Sequence, residues 1–433
     1  MKDFYRLLTN TLVASVTTSF LWFALTFWVY LETQNVMTTA ILGGSFMLLM
    51  AATGMLFGTL VDRHKKKRVI EISSIITAIS FVLAGTIFYF IPATSLTNIA
   101  DPWFWVFTTL ILIGCIVINI RNIALSTCVT IMVPEQNRAN ANGLVGMVSG
   151  IGFMITSIFS GLAIGFLGMG WTIAIAIFLT IVTLVDVLFV KIDEGHIVRD
   201  PNVNGLFDFR GAWQAIRAIP GLLALLLFAT FNNLIGGVFM ALLDPYGLTL
   251  VDVKIWGIIY ALSSVGFIVG GSIVAKKGLG KLPLRAMLLA NMLGGVIGIF
   301  MGIRESIWLL AGGMLVYMTL IPIVEAAEQT TLQKIVPVAK QGRVFGFGQS
   351  LEAAAAPITA YAIGPIAQLW IIPYMKTAEG QSTWGWLLGS GNARGMALIF
   401  MVAGIVIILT SLAALRSRSY RLLNKTYANT PAK

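Results

Sequence analysis

Twelve runs of about twenty apolar residues, separated by charged or Pro/Gly-rich breaks, dominate this 433-residue sequence. They lie near 7–31, 40–61, 69–91, 104–132, 143–167, 171–190, 220–243, 255–275, 285–303, 307–333, 345–371 and 394–415. Each is long enough to cross a bilayer core as a helix rising about 1.5 Å per residue. Soluble domains carry about 25% charged residues. This chain has 11%, with 58% hydrophobic side chains and a mean hydropathy of +0.89. So little charge cannot cover the surface of a soluble protein of this length, so most of the surface faces lipid. The fold class predicted is an all-α polytopic membrane protein with twelve transmembrane helices.

Other classes fall away on the same grounds. Cys115 and Cys128 share one apolar run, and at 13 positions apart they lie about 20 Å apart along a helix, out of disulfide reach. The two histidines, His64 and His196, sit in polar connections, so no metal site and no cofactor is expected. No phosphate-binding G-x-x-x-x-G-K-[ST] loop occurs, which leaves ATP drive unsupported. The first apolar run is too long for a cleavable leader and has no small-residue cleavage site.

The net charge of +11 reads as topology rather than nucleic-acid binding. With the N-terminus placed in the cytoplasm, twenty-four Lys and Arg residues fall in inside segments and four in outside ones, Lys254, Arg304, Lys376 and Arg394. Such a bias orients the chain with both ends cytoplasmic in the cell membrane, as a bacterial plasma-membrane protein would be. Attraction to anionic membrane lipid is a secondary effect of the same charges.

The chain divides into an N-terminal six-helix bundle (1–190), a cytoplasmic linker (191–219), a C-terminal six-helix bundle (220–415) and a tail (416–433). Phe209, Trp213, Ile216 and Pro220 follow a helical period opposite Arg210, Gln214 and Arg217, which fits either an interfacial amphipathic helix or a solvated linker. The halves repeat. Gly58-Thr59-Leu60-Val61-Asp62-Arg63 resembles Gly271-Ser272-Ile273-Val274-Ala275-Lys276. Likewise Ile131-Met132-Val133-Pro134 with Arg138 resembles Lys334-Ile335-Val336-Pro337 with Arg343. A parallel repeat of this kind is typical of transporters that rock two halves about a central site.

These residues resemble the major facilitator superfamily, whose loop after the second span reads G-x-L-a-D-R-x-G-R-K. Gly58, Leu60, Asp62, Arg63, Lys66 and Lys67 match it, while Lys65 replaces the second glycine. The stretch Gly342-Arg343-Val344, Gln349-Ser350-Leu351-Glu352 and Pro357 looks like the third subfamily of drug–proton antiporters, which holds macrolide, tetracycline and siderophore exporters. The resemblance implies that Gly58, Asp62, Arg63, Lys66 and Lys67 form a conformational latch against the start of the eleventh span, stabilising an outward-open state. The antiporter motif of the fifth span, with its Gly-Pro pair, has no proline here, so antiport does not follow from that motif.

Charged side chains deep in a membrane cost at least about 2.5–3.5 kcal/mol each and are functional candidates by default. Those in this chain are Arg121, Glu325, Glu328 and Glu352. Glu325 and Glu328 share a helix face, and two carboxylates that close disfavour joint ionisation. One of them is then suited to hold a proton and release it when water enters, with Glu352 joining the cluster or binding a cationic substrate. The alternative is a structural ion pair with Arg121 or Arg343. Arg121 resembles the family's fourth-span arginine, implicated in proton movement; the repeat aligns it with Val324, next to Glu325, so it would face the acids across a central cavity. Asp186, Asp244 and Glu32 lie near span ends, where hydration explains them.

Candidate lining residues are Trp22 and Phe27, then Phe231, Asn232, Asn233 and Met240, and Met314, Tyr317 and Met318; for each taken singly, packing or lipid contact is the favoured explanation. The function expected is secondary active export of lipophilic, possibly cationic small molecules by proton antiport and alternating access. It needs no cofactor beyond the proton gradient and is complete in a monomer. The second reading keeps the fold and changes the cargo to an endogenous siderophore, lipid or peptide. An enzyme would need a nucleophile and base or metal ligands at membrane depth, and a sensor would need a soluble domain. The sequence offers neither.

Overall fold

The computed structural model describes residues 2–33, 36–192, 194, 208–251, 253–389, 391 and 393–430. Within them the chain is helical, without a strand. The helices run α1 (Lys2–Thr33), α2 (Val36–Arg63), α3 (Lys66–Phe90), a short α4 (Ala93–Thr97), α5 (Pro102–Met132) and α6 (Arg138–Phe189). After them come α7 (Phe209–Ala218), α8 (Leu222–Leu248), α9 (Val253–Lys277), α10 (Pro283–Met301), α11 (Ile307–Ile335) and α12 (Val338–Ile366). The chain closes with α13 (Ile372–Lys376), α14 (Ala378–Leu388), α15 (Arg394–Arg416) and α16 (Arg418–Asn429).

Eleven of the helical stretches among the described residues are long and apolar enough to cross a membrane. The 52 residues of α6 would run to about 78 Å if straight, far beyond a hydrocarbon core of about 30 Å. The helix is broken instead at Gly168, where φ is 74° and ψ is 174°. Only glycine takes that conformation without strain, so the predicted turn at Gly168 splits α6 into two spans and brings the total to the expected twelve. The amphipathic pattern of the linker is realised as α7.

The described chain falls into two compact units, and these cut across the halves of the sequence. One holds Met1–Glu135, Ile151–Ala215 and Val336–Ser350; the other holds Gln136–Gly150, Ile216–Ile335 and Leu351–Lys433. The start of α6 therefore packs in the second unit, and the start of α12 in the first. Glycine explains both placements, because small residues let membrane helices approach to backbone contact. A Cβ on Gly58 would fall on the Gly342 carbonyl, and one on Gly346 on the Gly54 carbonyl. In the second unit Gly143 lies against Val274 and Ala275, and Gly271 against Met147.

Each unit has its own apolar core. In the first, Trp28 meets Phe107 and Phe88 edge-on at 5.7 and 5.9 Å between ring centres, inside a cluster with Leu21, Leu25 and Phe104. In the second, Phe239 stacks on Phe400 at 5.2 Å and Tyr246 stands edge-on to the same ring at 5.5 Å. Such aromatic pairs add about 0.5–1.5 kcal/mol each beyond their area.

Candidate functional site

In the first unit, α2 ends at Asp62-Arg63 and the start of α12 lies against it at the glycine contacts. The fully buried Asp62 carboxylate accepts from the Gly342 backbone N–H (2.6 Å) and from the N–H (2.9 Å) and Nε (3.2 Å) of Arg343. The one carboxylate thus meets two backbone donors in the second turn of α12 and the guanidinium of the same turn. Arg343, itself buried, also donates to Asp208. Asp208 in turn caps α7 by accepting from the Gly211 N–H at 2.8 Å. The sequence reading left Arg343 as a partner for the membrane carboxylates; the structure instead commits it to Asp62 and Asp208, because the glycine packing carries the start of α12 to α2.

The basic run beside Asp62 has partners of its own. The carboxylate of Glu194 accepts from the backbone N–H groups of Lys66 (2.8 Å) and Lys67 (2.9 Å), capping α3, whose cap residue Lys65 supplies no side-chain acceptor. Lys67 Nζ donates to the Leu188 carbonyl (3.0 Å) and pairs with Glu71 (3.6 Å). Lys66 is buried and Arg63 half-buried. Glu194 and Asp208 were missed in the sequence. They lie in a polar connection where nothing distinguishes a capping carboxylate from a solvated one.

Arg121 is buried in the same unit, with Nε donating to Thr11 Oγ1 and Nη1 to Ser74 Oγ, both at 3.1 Å. Next to Thr11, Asn10 donates to Asp186 Oδ2 at 2.7 Å, and Arg6 pairs with Asp186 Oδ1 at 2.7 Å. Trp22 stacks on Phe46 at 4.5 Å, and Phe27 stays exposed.

In the second unit the three carboxylates come together. Glu352 of α12 accepts from Asn233 Nδ2 of α8 at 3.3 Å and lies within hydrogen-bonding reach of the Glu328 carboxyl on α11. Glu325, one turn away, interacts electrostatically with both. Glu328 is buried, Glu352 and Asn233 are half-buried and Glu325 is exposed. Among the described residues none of the three forms an ion pair. Pro322 in α11 and Pro357 in α12 flank the cluster and leave the carbonyls of Met318 and Ala353 without their usual helix donors.

The remaining lining candidates separate. Phe231, Asn232 and Tyr317 are half-buried and Met240 is exposed. Met314 and Met318 pack into the core with Phe239 and Phe400, so they present no open surface here. Asp244, near a span end, accepts from Trp256 Nε1 at 3.0 Å.

Arg394, one of the four charges assigned to outside segments, is the first residue of α15. It is fully buried. Nη1 donates to the carbonyls of Leu388 (2.6 Å) and Gly302 (3.2 Å), Nη2 donates to Tyr246 Oη (3.1 Å), and Nε lies 3.2 Å from Glu305. The end of α14 supplies Leu388, α8 supplies Tyr246, and the turn after α10 supplies Gly302 and Glu305.

Helices long and apolar enough for twelve spans, with three carboxylates gathered within the spans of the second unit, fit a multi-pass membrane transporter. The chain belongs to the Major Facilitator Superfamily, whose family model matches residues 7–360. It is 23% identical to macrolide efflux protein A of Streptococcus pyogenes over 372 residues, 82% of this chain and 87% of that one. Among solved structures it resembles the human organic anion transporter MFSD10 (TM-score 0.67, 15% identity, covering 93% of this chain and 99% of that one). A bacterial homologue of the iron transporter ferroportin, in its outward-facing state, gives a TM-score of 0.68 at 14% identity, with 96% and 99% covered. The Escherichia coli fucose:proton symporter gives 0.69 at 12% identity, with 96% and 99% covered. These structural likenesses carry the fold alone.

Proposed function

We propose that this transporter exports lipophilic, macrolide-like small molecules in exchange for protons, by alternating access. The observation that carries the reading is the group Glu325, Glu328 and Glu352 with Asn233, three interacting carboxylates within membrane-spanning helices that form no ion pair among the described residues. Carboxylates crowded together disfavour joint ionisation, so the group is suited to hold a proton. Opening to one side takes the proton up; opening to the other releases it as substrate is captured. Moving one charge through 100 mV supplies about 2.3 kcal/mol, before any pH gradient is counted. The similarity to macrolide efflux protein A supports efflux and drug-like cargo.

The same reading places both chain ends and the basic loops in the cytoplasm of a bacterial plasma membrane, and takes the monomer as the working unit. Asp62, with Gly58, Arg63, Lys66 and Lys67, latches the start of α12 and favours the outward-open state. Arg121 serves proton movement in the first unit. The test is proton flux in proteoliposomes, driven by a panel of macrolides and lipophilic cations. Flux elicited by several compounds and lost in Glu325→Gln supports the reading. Flux that persists at the wild-type rate when all three carboxylates are amidated would refute it, and flux with none of the panel would move the cargo to an endogenous compound.

A further inference from the structure

We propose that a cleft between the starts of α8 and α10, the end of α15 and the tail helix α16 binds one anionic phospholipid. An acyl chain would lie in the cleft and the phosphate at its basic rim. This inference rests on the membrane-spanning fold and not on the direction or cargo of transport.

The cleft is shallow and open, and is lined by apolar side chains, among them Leu225, Phe228, Leu284, Met287, Leu288 and Leu423. Its place in the fold fixes its level. The last membrane span, α15, ends at Arg416, and Ser417 turns the chain by capping α16, accepting from the Tyr420 N–H at 3.0 Å. Helix α16 then lies against the bundle with Leu423 buried and Tyr427 beneath Lys334 Nζ at 4.4 Å. Gly221 makes the close approach possible. Its φ is 88°, and a Cβ there would stand 2.6 Å from the Ser419 carbonyl oxygen. An apolar slot where spans leave the membrane fits a lipid chain better than any water-soluble ligand.

The rim supplies the charge. Lys281 and Arg285 beside Leu284, and Arg416, Arg418, Arg421 and Lys425 along the tail, are all exposed. The sequence contains no Asp or Glu between 276 and 290 or between 414 and 433. The cap residues of α8 and α10, Gly221 and Leu282, provide no side-chain acceptor. Two helix starts without a carboxylate or hydroxyl cap add positive potential where a phosphate would sit. Basic groups beside an apolar slot match an anionic headgroup on its acyl chains, and a zwitterionic headgroup would gain far less.

The full chain, purified and stripped of lipid, is titrated with phosphatidylglycerol, phosphatidylcholine or inorganic phosphate. Lipid retention is read by native mass spectrometry and stability by thermal unfolding. Phosphatidylglycerol is expected to be retained and to raise the unfolding midpoint. The triple variant Arg285→Gln/Arg418→Gln/Arg421→Gln should bind it at least about tenfold more weakly. Ala224→Trp, which fills the cleft from an exposed position, should lose retention while keeping the lipid-free midpoint. Equal retention of phosphatidylcholine, reproduction of the shift by inorganic phosphate, or wild-type retention in both variants would overturn the proposal.

Discussion

Asp62 Oδ2 takes both the backbone N–H (2.9 Å) and the Nε (3.2 Å) of Arg343, a residue 281 positions further along the chain. One carboxylate thus holds backbone amides of α12 and neutralises a buried guanidinium together. Removing one partner of a buried ion pair costs about 3–5 kcal/mol, because the other charge stays behind. Asp62→Ala is expected to lose stability on that scale in thermal unfolding of the purified protein. Asp62→Asn keeps an acceptor for the amides and should lose less. Equal stability of Asp62→Ala and wild type would mean that the paired carboxylate contributes nothing.

Asp208 ties the linker into the same junction. It caps α7 through the Gly211 N–H and receives Arg343. Loss of such a cap costs about 1 kcal/mol of helix stability. Asp208→Ala should speed hydrogen exchange across Phe209–Ala218 and also at Gly342 and Arg343. Faster exchange confined to α7 would show that the linker helix is not coupled to α12.

Gly58 and Gly236 offer a matched pair. A Cβ on Gly58 collides with the Gly342 backbone, which cannot step aside, whereas nothing lies within 4 Å of one on Gly236. Overpacking of this kind typically costs about 1–3 kcal/mol. Gly58→Ala is expected to lower the unfolding midpoint and slow transport, with Gly236→Ala near wild type in both. Similar behaviour of the two variants would contradict backbone packing at this site.

Arg394→Lys tests the buried guanidinium of the second unit. A lysine is a single point donor and cannot reach Leu388, Gly302, Tyr246 and Glu305 together. The variant should unfold at a lower temperature than wild type, and Arg394→Met lower still. Wild-type stability in Arg394→Lys would mean that one ammonium suffices.

The spans were legible because twenty-residue apolar runs leave few alternatives, and Gly168 marked its own turn. The acidic cluster was legible in part. The spacing of Glu325 and Glu328 gave a shared face and Glu352 a choice between joining them and binding substrate; the hydrogen bond from Asn233 to Glu352 needed the packing of α8 on α12. Partner choice was not legible. Arg343 and Arg394 look like ordinary loop charges until packing surrounds them, and most of those contacts are made between segments far apart in the chain. The tail helix α16 was missed for another reason: its period, Leu423 and Tyr427 opposite Arg418, Arg421 and Lys425, is short and hidden in a basic stretch.

The central claim is that substrate and proton compete for the carboxylates at Glu325, Glu328 and Glu352. The direct measurement is proton release on adding a macrolide substrate to the purified protein in weakly buffered solution with a pH indicator. The account predicts release from the wild type, reduced in Glu325→Gln and absent when all three are amidated. Substrate binding to the wild type without proton release, or undiminished release from the triple variant, would contradict it.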